Sequence, residues 1–107
     1  MADTLTGKGY AITGSSAAAL TAGGSETITL IGVTIANVHA TDACWVMADV
    51  IRSGGVNSEL AHQVSIPVND SLDILQGKVV LNSNDALYLQ ADAISKLEAS
   101  LSYLVQT

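Results

Sequence analysis

From Thr27 onward, short runs rich in β-branched residues alternate with breaks rich in Gly, Asn, Asp and Ser. That rhythm restricts the chain to a fold of short antiparallel strands. Residues 27–38 (TITLIGVTIANV) are nearly all strand formers. Ile28 and Leu30 share one parity and Val33 and Ile35 the other. The phase therefore slips at Ile31-Gly32, as a β-bulge requires. Residues 43–51 (ACWVMADVI) follow a His-Ala-Thr-Asp turn, and Ser53-Gly54-Gly55 then reads as a hairpin loop.

Residues 59–68 alternate, with Leu60, His62, Val64 and Ile66 on one face. Pro67 removes a ladder donor, which predicts a strand that is at an edge or ends there. Residues 70–75 and 78–81 flank Gln76-Gly77, and Asn82-Ser83-Asn84-Asp85 is a turn by composition. Ala86–Ala91 and residues 96–105 complete the set. Ile94, Leu97, Leu101 and Leu104 also fit one face of a helix. The alternation of Leu97, Ala99, Leu101, Tyr103 and Val105 against Glu98, Ser100 and Ser102 favours a strand. The expected fold is all-β: an antiparallel β-sandwich, Ig-like or jelly-roll-like, of about seven strands.

Residues 1–26 have a different texture. They are rich in Gly, Ser, Thr and Ala, with Leu5, Tyr10, Ile12 and Leu20 as the sizeable apolar groups. This segment is expected to be an extended N-terminal arm or irregular edge strands that carry attachment rather than fold, with residues 27–107 as the sandwich domain.

Composition bears on partners. Only 13% of the chain is charged while 49% is hydrophobic, against about a quarter charged in an ordinary soluble domain. A core of this size has no use for that much apolar surface, so part of it is expected to lie against other subunits. The strand at 43–51 makes the same point. Cys44, Val46, Ala48 and Val50 line one face and Trp45, Met47, Asp49 and Ile51 the other, and both are largely apolar. A solvent-facing sheet is polar on one side. The second face is thus expected to be covered, by the N-terminal region or by a neighbouring subunit. Trp45 and Met47 are candidate interface anchors, with Leu5, Tyr10, Ile12 and Leu20 as candidates on the arm.

The net charge of −6 disfavours nucleic acid and anionic membrane as partners. No run reaches the ~20 apolar residues of a membrane-spanning helix. Residues 10–24 are interrupted by Gly and Ser and lack a basic approach, so they do not read as a targeting signal. The lone Cys44 rules out an intramolecular disulfide and reads as a buried thiol. Motifs for chemistry fail on inspection. Gly7-Lys8-Gly9 lacks the preceding glycine and strand of a phosphate loop. His39 and Asp42 lack further ligands for a metal. His62 sits on an apolar parity, and no Gly-x-Ser-x-Gly elbow is present. Asp70 and Asp73 suit turn capping, and the Asn69-Asp70-Ser71 sequon is a chance pattern. No catalytic, cofactor or metal site is expected, and no enzyme activity.

Several segments together resemble a family: Ile35-Ala36-Asn37, Ser65-Ile66-Pro67, residues 72–77 (LDILQG), Asn84-Asp85-Ala86-Leu87 and Leu101-Ser102-Tyr103-Leu104. They are similar to an "ITLAN" strand, a "VSIPANSSLVLLDG" strand and turn, a Gly/Asn-Asp hairpin and a final strand ending in "SYLE". These occur in small β-sandwich virion proteins of tailed bacteriophages. The resemblance covers about three quarters of the chain and excludes the first 26 residues. It implies a non-enzymatic virion protein made in a bacterial cytoplasm. In the first reading it is a capsid decoration or cement protein that forms a homo-oligomer and contacts the major capsid protein or another virion protein. In the second it is a neck, tail or fibre domain that binds a virion partner or a host-surface ligand. The matched motifs are scaffold positions, so no functional residue carries over.

Overall fold

The computed structural model describes residues 3–39, 41–75, 77–92 and 97–107. These residues form nine strands and no helix: β1 Asp3–Ile12, β2 Ala17–Thr21, β3 Thr27–Asn37, β4 Cys44–Ile51, β5 Ser58–Ile66, β6 Ser71–Asp73, β7 Val79–Leu81, β8 Ala86–Ala91 and β9 Leu97–Gln106. Sheet A runs β1-β9-β3-β6, with β7 also on β3, and sheet B runs β2-β8-β4-β5. Every pairing is antiparallel. The pairs β1·β9, β2·β8, β3·β6/β7 and β4·β5 are nested like one long hairpin. Alternate pairs fall in alternate sheets, which is the wrapping of a jelly roll.

Alternation supplies the layer between the sheets. From β9, Leu97, Ala99, Leu101 and Tyr103 point inward; from β4, Cys44, Val46, Ala48 and Val50; from β8, Leu87, Leu89 and Ala91. In β3 the register against β9 shifts between Leu30 and Gly32. Ile28 and Leu30 before the slip and Val33 and Ile35 after it are all buried, while the bulged Ile31 is left 44% exposed. The predicted bulge is therefore what keeps both halves of β3 facing the core.

Other details depart from the sequence reading. In β5, Gln63 adopts φ 47° and the register against β4 breaks between Val46 and Ala48. This flips the parity, so Ala61, not His62, is buried. The strands expected at 70–75 and 78–81 shrink to three residues each. Gln76 of the expected turn, Ala40 of the turn before β4, Ile94 of the helical alternative and Lys96 at the start of the last expected strand lie outside the described residues. From Leu97 to Gln106 the chain is strand. As the proline implied, β5 is the edge of sheet B and ends at Ile66. Pro67 opens a turn closed by Asp70 N–H to Pro67 O (3.2 Å), with Asn69 at φ 63° in the position that needs a positive φ.

The segment before Thr27 differs most from an arm. It supplies an edge strand to each sheet, and Ile12, Ala19, Leu20 and Ala22 are part of the core.

One end of the sandwich is organised by Asp85, which is 3% exposed. Its carboxylate accepts from Arg52 Nη1 (2.8 Å), Ser53 N–H (2.8 Å) and Asn82 N–H (3.0 Å). Arg52 Nη1 also donates to Val80 O at 2.6 Å, so the loop of sheet B is bonded to β7 of sheet A. The Asp85 carbonyl accepts from Ala22 N–H, and Asn84 N–H donates to Ala22 O. Three connections thus meet at one residue. The hydrogen bond from Arg52, then that from Ser53, hold the Asp85 carboxyl below its ordinary range.

Two outcomes follow from this packing. Ile12→Ala should cost about 2–5 kcal/mol in urea unfolding, the same range expected of Leu101→Ala, because both empty a closed apolar layer; a loss well under 1 kcal/mol would return β1 to the status of an arm. Asp85→Asn should lower the melting temperature at neutral pH. A lowered pKa in the folded state stabilises above the unfolded value of 3.8 and is lost as pH falls through the folded one. The gap to the parent protein should therefore narrow in strong acid, as thermal melts across pH would show.

Candidate interaction surface

Strand β4 is sandwiched between β8 and β5, so its second face forms the centre of sheet B's outer surface. Trp45, Met47, Asp49 and Ile51 project there, each half-buried. Register sets their neighbours. Trp45 lies opposite Ser65, Met47 opposite Gln90, and Ile51 opposite Ala86. Asp49 lies between Tyr88 on β8 and Glu59 on β5. The result is an apolar and aromatic patch with a carboxylate in its middle. At the edge, Glu59 Oε2 sits 2.7 Å from His62 Nδ1.

Asp49 is the anomalous member. Its Oδ1 is buried and has no hydrogen-bond partner among the described residues. Burial, followed by the charge of Glu59, raises its carboxyl above the ordinary value, with His62 acting the other way. A buried acceptor without a donor is costly, and native structures keep few of them. The outer face of sheet A is mixed. Gly7 and Gly9 of β1, Ser100 and Ser102 of β9, and Gly32 and Thr34 of β3 fall in register across its middle, while Leu5 opposite Leu104 and Val80 opposite Thr29 add exposed apolar groups beside the bulged Ile31.

The six expected interface residues are not brought together. Trp45 and Met47 lie on the outer face of sheet B. Leu5, 72% exposed, lies on the outer face of sheet A opposite Leu104. Tyr10 is half-buried against the core on the inner side of β1. Ile12 and Leu20 are core residues, 0% and 8% exposed, and are corrected from contact to packing positions. Nor does the N-terminal region cover the second face of β4: β1 joins sheet A, and β2 pairs edge-on with β8. Asp49 and Ile51 were legible on the parity of Trp45. Tyr88 was not, because its place depends on the β4–β8 pairing across nearly forty residues of chain.

The remaining polar groups build turns. Asn37, 5% exposed, donates through Nδ2 to Ile66 O (2.8 Å) and Asp42 O (3.0 Å) and accepts from His39 N–H (2.8 Å). His39 Nδ1 accepts from the backbone N–H groups of Thr41 and Asp42, both at 3.1 Å. Its Nδ1 is thereby used as a turn brace, with Nε2 3.9 Å from Asp42 Oδ2. His62 is 65% exposed, not the partly buried group its expected parity implied. Among the described residues no three His, Cys, Asp or Glu side chains converge as a metal site would need. Buried Cys44 has its Sγ 3.9 Å from Asp42 O. A cleft of about 410 Å³ opens between β5 and β7, floored by Leu60, Ile74, Leu75 and Val79, with Glu59 and Lys78 on its rim. Its described lining residues include no nucleophile–base pair.

No family model matches the chain, and no curated protein does. Solved structures do match in fold. A chain of the T13 IBDV viral particle is similar over 96% of this chain and 30% of its own length, with a TM-score of 0.56 and 8% identity. A chain in the acidic stable capsid of the Helicobacter pylori bacteriophage KHP30 is similar over 98% of this chain and 87% of its own, with a TM-score of 0.54 and 8% identity. This chain therefore spans under a third of the first neighbour and nearly all of the second. At such identities the shared property is the sandwich fold.

The orphan acceptor makes a direct prediction. Asp49→Asn should raise the melting temperature at pH 7, since the charged carboxylate is the disfavoured form in the fold. A raised folded pKa contributes stability below the unfolded value of 3.8 that is lost as pH rises through the folded one. The gain should therefore shrink on acidification, when the parent carboxyl is itself neutral. Equal melting curves at pH 7 would mean that Asp49 finds its donor in water.

Proposed function

We propose that this chain is a non-enzymatic structural component of a virus particle, a capsid decoration or cement protein that bridges neighbouring shell subunits through the outer face of sheet B. One observation carries the reading: the whole chain shares its fold with nearly the whole of a chain in a bacteriophage capsid structure. The resemblance of its strand and turn motifs to tailed-phage virion proteins supports it independently, as does the large virus-particle chain that contains the same sandwich.

The proposed mechanism is mechanical. Trp45, Met47, Ile51 and Tyr88 supply apolar area worth roughly 25 cal/mol per Å² when buried against a partner, before association costs. Asp49 Oδ1 supplies an acceptor that a donor of the shell protein completes. Desolvated polar groups of this kind select a partner, since a surface without the matching donor leaves the acceptor orphaned. Many copies on one particle add avidity to a modest single contact.

The role is tested on particles of the virus that encodes the chain. Mass spectrometry and cryo-electron microscopy of purified particles should find it in many symmetry-related copies on the shell, and particles assembled without it should release their genome at lower temperature. Absence of the chain from purified particles would falsify the role. Trp45→Glu should leave the melting temperature within a few degrees of the parent but weaken binding to stripped particles about thirtyfold or more, the scale of an aromatic anchor. Unchanged binding by a folded Trp45→Glu protein would move the contact away from this face.

A further inference from the structure

Two acids stand opposite each other on the outer face of sheet B. Asp49 of β4 and Glu59 of β5 are register partners in adjacent strands, and like charges so placed repel. The other groups around Asp49 are apolar or uncharged: Trp45, Met47 and Ile51 on its own strand, and Tyr88 and Gln90 on β8.

The titratable groups that face Asp49 come from two strands, Tyr88 from β8 and Glu59 and His62 from β5. His62 Nδ1 lies 2.7 Å from Glu59 Oε2, at the margin of the face where both side chains are more than half exposed. Lys78 shares with Glu59 the cleft on the far side of β5. Arg52, just past the end of β4, is bonded to Asp85 and the Val80 carbonyl instead. Among the described residues no ion pair reaches Asp49, and its buried Oδ1 has no donor.

A partner that covers this face removes water from both acids. Dehydration disfavours a charged carboxyl, and more so beside a second negative charge. A single proton on Asp49 relieves both costs. Seated on Oδ2, it ends the repulsion and still leaves Oδ1 to accept from the partner. The free chain already leans this way: burial first and Glu59 second raise the Asp49 carboxyl, with His62 opposing.

We propose that the outer face of sheet B is a proton-linked contact, in which docking takes up one proton at Asp49, opposite Glu59. The inference rests on the reading of this face as the particle contact and adds its regulation. Linkage sets the sign. A proton held more tightly in the docked state makes docking stronger as pH falls through the docked-state value, and the gain levels off below the free-chain value. Between the two, affinity changes by about tenfold per pH unit for one proton. The contact is therefore weakest in alkali and strongest in acid.

Binding of the full chain to stripped particles, from about pH 8 to about pH 5, tests the link. The parent should bind about tenfold or more tightly at the acid end. Asp49→Asn, neutral at every pH, should bind at the alkaline end as tightly as the parent does in acid. Glu59→Gln should shrink the parental change. Titration of the shell protein moves all three profiles alike, so the difference between parent and Asp49→Asn is the readout. A parent profile parallel to that of Asp49→Asn overturns the link while leaving the contact in place. Failure of the parent to bind at every pH removes the contact, and the link with it. Carboxyl carbon-13 NMR of the free full chain gives a second measure without a particle. The Asp49 signal should titrate above the ordinary carboxylate range, and Glu59→Gln should bring its midpoint down. A midpoint in the ordinary range, or one that Glu59→Gln leaves unmoved, overturns the pairing on which the link depends.

Discussion

A single apolar layer, closed between two sheets, is the constraint on which this structure depends. The one cysteine lies buried at 4% exposure, so no disulfide within the chain constrains the unfolded state, and charged groups are sparse. Stability then rests on how completely the inward residues of β3, β4, β8 and β9 are covered at the margins. Ile12, Leu20, Ile66, Ile74 and Leu81 provide that cover, each from a different strand or loop. Where the layer runs out, hydrogen bonds take over. The Asp85 carboxylate closes one end by receiving the β4–β5 loop and its own turn, while its carbonyl receives the β2–β3 connection. Burying that charge is tolerable because three donors meet it.

The two outer faces have been treated differently. Sheet A presents glycine, serine and threonine across its middle, with Leu5 and Val80 exposed toward its margins. Sheet B presents tryptophan, methionine, isoleucine and tyrosine around a carboxylate oxygen with no donor among the described residues. An isolated domain gains nothing from the second arrangement, and the pKa of Asp49 moves in the direction of cost. Strand β1 is also an edge of sheet A, paired with β9 along ten residues in unbroken register, where the other edges are broken or shortened.

Legibility in the sequence followed the range of the interactions involved. The strand at Ala86–Ala91 and the bulge at Ile31-Gly32 were readable because each is written in local alternation. The left-handed Gln63 was not, since glutamine carries no signal for a positive φ, and the misreading of His62 followed from it. Ile12, Ala19, Leu20 and Ala22 were undervalued because a segment of small residues looks poor in apolar surface when taken alone. Asp85 read as a turn residue, which it is; its burial depends on Arg52 and Ser53, more than thirty residues earlier in the chain.

By itself, then, the amino-acid order determined the all-β class, most strand positions, the two-faced apolar character of β4 and the absence of a basic or metal-ligating motif. Each of these is set by residue type and spacing within a few positions, where propensity and periodicity act. The tertiary structure decided the rest: the nesting of β1 with β9 and β2 with β8, the alternation of those pairs between two sheets, the gathering of Tyr88 and Glu59 about Asp49, and the exposure of the β1 edge. These are consequences of pairing between residues distant in sequence. The same alternating pattern is compatible with several wrappings of a sandwich, and the choice among them falls to whichever seals the whole apolar layer at once.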